Sequence, residues 1–227
     1  MKTCAFFDVD YTILSKSSML LYAQYMRKKG EYKLWEIALG MFYLAQYKLN
    51  LLDFEAVTER VTRRYEGMSE KEMIDTCERW FEEQVRHYIY PEIYQVIDEH
   101  RARGDELCIL SAITEYLARP LARHLGINHW LCNQMEVVDG RFTGRLKKPF
   151  CYGKGKLEYA RRFAEENRIS LKDSYYYSDS ITDLEVLSAF GHPVAVNPDP
   201  LLRKEAQRRG WKILESRSAG KKKKAVG

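Results

Sequence analysis

A chain of 227 residues, 45% hydrophobic and 30% charged, is long enough for a substantial core and fits one large α/β domain or a core domain carrying an insert. No stretch approaches the roughly 20 apolar residues of a membrane-spanning helix, and MKTCAFFDVDYT meets charge too soon to be a secretory signal, so a cytoplasmic protein is expected. The formal charge of +5 includes Lys221 to Lys224; without that run the body stands at +1 and has no basic helix interleaved with aromatics, which argues against nucleic acid as a partner.

In chain order, Thr3 to Val9 reads as a strand, and Ser17 to about Tyr90 reads as helical, with no convincing strand. SSMLLYAQYMRKKG ends in a Lys/Arg-rich turn and Gly30, a second helix runs near Tyr32 to Tyr47, and DFEAVTERVTRRYEG closes at Gly67. Ser69 and Glu72 form a capping box opening a long helix that Pro91 stops. Beyond Pro91 short apolar strands alternate with helices: ELCIL (Glu106 to Leu110) precedes TEYLARPLARHLG, SYYYS (Ser174 to Ser178) precedes TDLEVLSAFG, PVAV precedes PLLRKEAQRRG, and WKIL ends the pattern. That alternation implies parallel strands joined by crossover helices, while Asp139-Gly140 inside MEVVDGRFTGRL signals a tight antiparallel hairpin. The expected organisation is an α/β core from 1–15 and 91–215, a helical cap over 16–90, and a basic, disordered tail over 216–227. An insert directly after a strand's carboxyl end sits over the crevice where open parallel sheets bind ligands, which makes it a candidate lid.

Chemistry concentrates at the strand ends. Side chains along a strand repeat every two residues, so Asp8 and Asp10 project toward one side. Two carboxylates so placed are tolerated mainly with a cation or a proton between them; either aspartate alone reads as an ordinary turn or helix cap. Ser111 ends a second apolar strand, with the N–H groups of Ala112 and Ile113 behind it opening toward a helix start as an anion cradle. YYYSDSITD places Asp179 and Asp183 after a third strand, and GKGKLEYA offers Lys154 and Lys156 at a helix beginning, with glycines that would let backbone approach a phosphate. The five cysteines are scattered without metal-binding spacing and read as reduced and structural.

DVDYT resembles the D-x-D-x-T motif of the haloacid dehalogenase superfamily, CILSA its second motif, Lys156 its lysine and SDSITD its closing acidic motif. Their order and the insert after the first are similar to the phosphoserine-phosphatase-like branch, over Cys4 to about Leu214. The resemblance implies a Rossmann-like parallel sheet with an inserted all-helical cap, and a phosphomonoester hydrolase acting on a small phosphorylated metabolite. It implies Asp8 as nucleophile forming an aspartyl-phosphate and Asp10 as general acid and base. Mg²⁺ would be held by Asp8, the Asp10 carbonyl and Asp179; Ser111, Ala112 and Lys156 would bind phosphate, and Thr12 and Asp183 would support them. Lys154 is one short step from Lys156 and stays open as the phosphate lysine.

Departures bear on the substrate. Ser17 stands where phosphoserine-specific members carry an acidic residue, and the cap arginine that binds the substrate carboxylate has no clean match, although Arg60, Arg63 and Arg64 lie near. LWEIALGMFYLAQYKLNLL (Leu34 to Leu52) is either a cap helix packed on its neighbours or an apolar wall for a greasy substrate or a membrane surface, without stable membrane insertion. A lipid-phosphate phosphatase, a phosphotransferase or phosphomutase of the same superfamily and a phospho-ligand binding module therefore stand as alternatives. Asp10 argues against a dehalogenase, which lacks the second aspartate.

Overall fold

The computed structural model describes residues 1–48 and 54–216; Lys221 to Lys224 and positions 49–52 of the apolar stretch lie outside the described residues. In chain order the elements are β1 (Cys4–Phe7), α1 (Ser18–Lys28), α2 (Leu34–Lys48), α3 (Phe54–Thr62), α4 (Glu70–Glu83), α5 (Pro91–Ala102), β2 (Glu106–Thr114), α6 (Glu115–Leu125), β3 (His129–Asn133), β4 (Met135–Val138), β5 (Arg141–Leu146), α7 (Lys154–Asn167), β6 (Tyr175–Ser178), α8 (Leu184–Ala189), β7 (His192–Val196), α9 (Pro200–Arg209) and β8 (Lys212–Leu214). Six strands form one parallel sheet in the order β3-β2-β1-β6-β7-β8, with helices on both faces and an all-helical insert between β1 and α5. The chain reverses direction across the sheet between β1 and β6, and such a switch point opens a crevice at the carboxyl ends of those two strands.

The two faces of β1 feed two cores. Ala5 and Phe7 pack with Leu21, Trp80, Phe81, Ile93 and Leu121, while Cys4 and Phe6 pack with Leu157, Phe163, Tyr176 and Val186. The first cluster is common to the sheet and to α1 and α4 of the insert, so the insert and the core share apolar burial. All five cysteines are buried and unpaired.

Pro91 does not stop a helix. The capping-box helix ends at Glu83, Val85–Tyr88 forms a 3₁₀ turn, and Pro91 is the first residue of α5, where its fixed φ and missing N–H are no cost. The strand β3 carries little alternation in HWLCN and was also illegible. The hairpin turn is as read: Asp139 and Gly140 take φ values of 50° and 72°, the left-handed pair of a two-residue turn.

Two connections tie the insert to the core. Residues 13–15 and 88–90 run side by side, with Ser15 N–H to Tyr88 O at 2.7 Å and Tyr90 N–H to Ile13 O at 2.9 Å. The β4–β5 hairpin reaches across to the loop before α4: Gly67 N–H meets Phe142 O at 2.8 Å, Phe142 N–H meets Met68 O at 3.0 Å, and Glu70 N–H meets Gly140 O at 2.9 Å. At Gly144 a side chain would press within 3.2 Å of the Arg63 backbone, and φ is +79°, so only glycine lets hairpin and insert approach so closely.

Under the first face, His100 is buried at 1% exposure, its Nε2 2.7 Å from the Tyr177 hydroxyl and its Nδ1 2.7 Å from Asp105 and 2.6 Å from Arg103. Burial lowers its pKa below the ordinary 6.5; the Asp105 carboxylate opposes the shift and Arg103 adds to it. The unfolded chain therefore takes up a proton first as pH falls through 6.5, and stability is lost on the acid side. Thermal unfolding followed from about pH 7.5 to about pH 5.5 is expected to drop more steeply for the unaltered protein than for His100→Gln.

Candidate active site

Asp8 continues the alternation of Cys4 and Phe6, so its side chain leaves the end of β1 on the α7 side, and its N–H is fixed by Tyr177 O at 2.9 Å. β6 places Tyr176 and Ser178 on that same side. The Lys156 ammonium, in the first turn of α7, lies 3.0 Å from Asp8 Oδ1, 2.7 Å from Asp183 Oδ2 and 3.2 Å from the Tyr176 hydroxyl. Asp183 Oδ2 also accepts from Tyr176 and Ser178, each at 2.7 Å. Asp8, Lys156 and Asp183 are only 4%, 1% and 1% exposed. Lys154 is exposed at the helix start.

Burial raises the Asp8 pKa; Lys156 opposes that rise, Asp183 adds to it, and a hydrogen bond from the buried Ser111 hydroxyl lowers it again. Asp179 is pushed well above the carboxylate range, first by burial and then by repulsion from Asp8 and Asp183. Two carboxylates, Asp8 and Asp183, thus share one ammonium, and Asp179 and Asp10 add negative charge beside Asp8. Asp8 and Asp179 feel each other directly and offer hard oxygens, a donor set that suits Mg²⁺ and relieves their repulsion. Among the described residues no cluster of three metal-ligating side chains occurs, so a cation here would rest on two carboxylates, backbone and solvent or phosphate oxygen.

Asp10 is held by the start of the insert. Ser18 N–H, at the first turn of α1, donates to Asp10 Oδ1 at 2.9 Å, and the Ser17 and Ser18 side chains also bond to it. A helix N-terminus stabilises the carboxylate, but burial outweighs this and lifts the pKa to about 6. The proton-holding form is therefore accessible near neutral pH.

The structure differs from the sequence reading at two places, Ala112 and Gly155. Residues 111–114 remain in β2 with a register shift between Leu110 and Thr114, and α6 begins only at Glu115, so Ala112 lies in an irregular strand rather than at a helix start; its carbonyl accepts from Asn133 Nδ2 at 2.7 Å. Gly155 is required by protein rather than phosphate: a Cβ there would lie 1.9 Å from the Phe150 carbonyl. Thr12 is fully buried, with its N–H bonded to Val9 O at 3.2 Å and its hydroxyl without a protein partner.

Sequence reading missed Tyr176, Ser178 and Asp199. Asp199 caps α9 through Leu201 and Leu202 N–H, accepts Ile181 N–H at 2.7 Å, and donates its own N–H to Asp179 O at 2.9 Å, so it fixes the Asp179–Asp183 loop. An aspartate before proline is a visible cap signal, but its reach to residues 179–181 is not.

A sequence profile described as haloacid dehalogenase-like hydrolase matches residues 5–188. The phosphoserine phosphatase SerB1 of Mycobacterium tuberculosis is 34% identical over 227 residues, covering 97% of this chain and 73% of its own. A histidinol-phosphatase of Neisseria meningitidis is 30% identical over 219 residues, covering 94% and 99%. The crystal structure of a protein of unknown function from Bordetella pertussis superposes with a TM-score of 0.84 at 28% identity, covering 94% and 99%.

Asp183→Ala takes one of two carboxylates from the buried Lys156 ammonium and removes the acceptor of the Tyr176 and Ser178 hydroxyls. Chemical denaturation should show a loss of about 3–5 kcal/mol relative to the unaltered chain.

Proposed function

This chain belongs to the haloacid dehalogenase-like hydrolases, and within that family we propose that it is a Mg²⁺-dependent phosphomonoesterase of small phosphorylated metabolites, working through an aspartyl-phosphate. One observation carries the reading: at the carboxyl ends of β1 and β6, Asp8 and Asp183 share a single buried ammonium, while Asp179 and Asp10 add carboxylate charge beside Asp8. A bound cation would balance that charge when a phosphate dianion arrives.

In this reading an Asp8 oxygen attacks phosphorus as the bond to the leaving alcohol breaks, and Asp10 gives its proton to the departing oxygen. Asp10, now a carboxylate, takes a proton from water, whose oxygen attacks phosphorus and frees Asp8 and inorganic phosphate. Mg²⁺ bound by Asp8, the Asp10 carbonyl and Asp179 would supply charge neutralisation and orientation. Lys156 and Ser111, both in contact with Asp8, hold the phosphoryl oxygens, and Asp183 keeps Lys156 aimed. The insert over 16–90 acts as the cap that excludes bulk water.

For the substrate, the site argues against phosphoserine. Ser17 is 2% exposed and bonded to Asp10, with no charge to meet an amino group, and Arg64 is engaged by Glu36 and stacks 3.9 Å over Tyr32. The Neisseria relative named for histidinol phosphate is nearly coextensive with this chain, which puts an amino-alcohol phosphate first. A second reading, a lipid phosphate, is favoured by the exposed stripe of Leu34, Trp35, Met41 and Phe42 along α2. Among the described residues no helix is long and apolar enough to cross a membrane.

Asp8→Asn is expected to abolish phosphate release with the circular dichroism spectrum unchanged, and chelation should abolish it reversibly in the unaltered protein. Turnover by Asp8→Asn would remove the nucleophile assignment. Asp10→Asn should slow alkyl phosphates by about 10²–10⁴-fold but p-nitrophenyl phosphate much less, because p-nitrophenolate leaves without a proton. A panel of serine, histidinol and lipid phosphates, the last in vesicles, separates the substrate readings.

A further inference from the structure

Tyr11 follows Asp10 directly and has φ +59°, a left-handed conformation that a residue with a Cβ adopts at a cost and that glycine adopts freely. The turn imposes it: Thr12, Ile13 and Leu14 all direct their N–H groups at Val9 O, at 3.2, 2.9 and 2.9 Å. An aromatic residue under backbone strain at the edge of a reacting site points to a job for its side chain. The Tyr11 hydroxyl is hydrogen-bonded to the backbone of Ser17, and the phenol feels the charges of Asp10 and Asp179 and the neighbouring Tyr90. Asp8, Ser111, Lys156 and Asp183 are sealed, whereas Tyr11, Asp10 and Asp179 are part-exposed, so the open side of the site runs past Tyr11. Tyr90, whose N–H bonds to Ile13 O, is buried nearby and also feels the charge of Asp179.

We propose that Tyr11 is a specificity-determining residue: its ring walls the space taken by the leaving alcohol, and the site prefers phosphomonoesters whose alcohol carries a flat aromatic or heteroaromatic ring. This rests on the phosphomonoesterase reading and adds a selection rule to it. The leaving oxygen must lie beside Asp10 to receive its proton, and the Tyr11 phenol, held by the same Ser17 that bonds Asp10 and within reach of the Asp10 and Asp179 charges, lies at that edge, so a ring held close to that oxygen meets the tyrosine. Offset or edge contact between rings then rewards a planar group, and the bond to Ser17 pins the phenol so that little rotamer freedom is lost on binding.

The test uses two substrates that differ only by a ring-bearing branch, L-histidinol phosphate and ethanolamine phosphate. The readout is the ratio of their kcat/KM values in the full chain and in Tyr11→Gly and Tyr11→Phe. Glycine relaxes the turn, so folding is retained; Tyr11→Asn, which also tolerates the left-handed region, is a second ringless variant. The ratio is expected to favour the ring in the unaltered protein, to fall about fivefold to tenfold in Tyr11→Gly and Tyr11→Asn, mainly through KM, and to survive in Tyr11→Phe. An unchanged ratio in the ringless variants overturns the proposal. An equal fall in Tyr11→Phe also overturns it, because the hydroxyl bond to Ser17 would then be the whole role. An unaltered protein that releases phosphate from no phosphoester at all would instead end the phosphomonoesterase reading on which the proposal stands.

Discussion

The ammonium of Lys156, shared between Asp8 and Asp183 beneath the sheet's carboxyl edge, is the interaction on which the rest of the site depends. It joins α7 to β1, 148 positions earlier in the chain, and to the loop after β6, 27 positions later. Desolvating those charges is expensive, and the hydroxyls of Tyr176, Ser178 and Ser111 make it tolerable by satisfying the remaining lone pairs. The arrangement still leaves carboxylate in excess toward the open side. In the proposed reaction a divalent cation and a phosphoryl group would complete the surroundings of Asp8 and Asp179, whose backbone anchors, Asp8 to Tyr177 and Asp179 to Asp199, belong to the protein alone.

Asp10 differs from its neighbours. Its carboxylate is tied to the first turn of α1, so the group that moves protons in the proposed reaction hangs from the insert as much as from the sheet. Burial raises its proton affinity and the helix N–H lowers it, and the balance sits near neutrality. Tyr11, bonded one residue earlier to Ser17, ties the same corner down.

Much of the fold was legible because its signals are local. Alternating apolar runs marked β1, β2, β6 and β7, the Asp139-Gly140 pair marked the hairpin, and acidic or hydroxyl residues at strand ends marked Asp8, Ser111 and Asp179. What escaped depends on tertiary context. Pro91 is both a helix breaker and a first-turn residue, and only the 3₁₀ turn before it decides which; β3 is short and borrows its order from β2; Ala112 looked like a helix start because the strand's irregularity leaves no mark in the residues. Tyr176 and Asp199 were invisible as site residues because their contributions run to partners seven and eighteen positions away. Gly155 shows the opposite error: a glycine next to a lysine invites a phosphate reading, whereas here it makes room for the Phe150 carbonyl.

The β4–β5 hairpin constrains how such a molecule can breathe. Gly67, Met68 and Glu70 are laced to Gly140 and Phe142 through backbone, and Thr62 Oγ1 donates to Gly144 O at 2.8 Å. With α4 also sharing the main apolar cluster, the far flank of the insert is bolted to the chassis, and a wholesale swing of all four helices would shear those bonds together. Any opening movement that keeps this lacing intact is therefore smaller than a swing of the insert as one body.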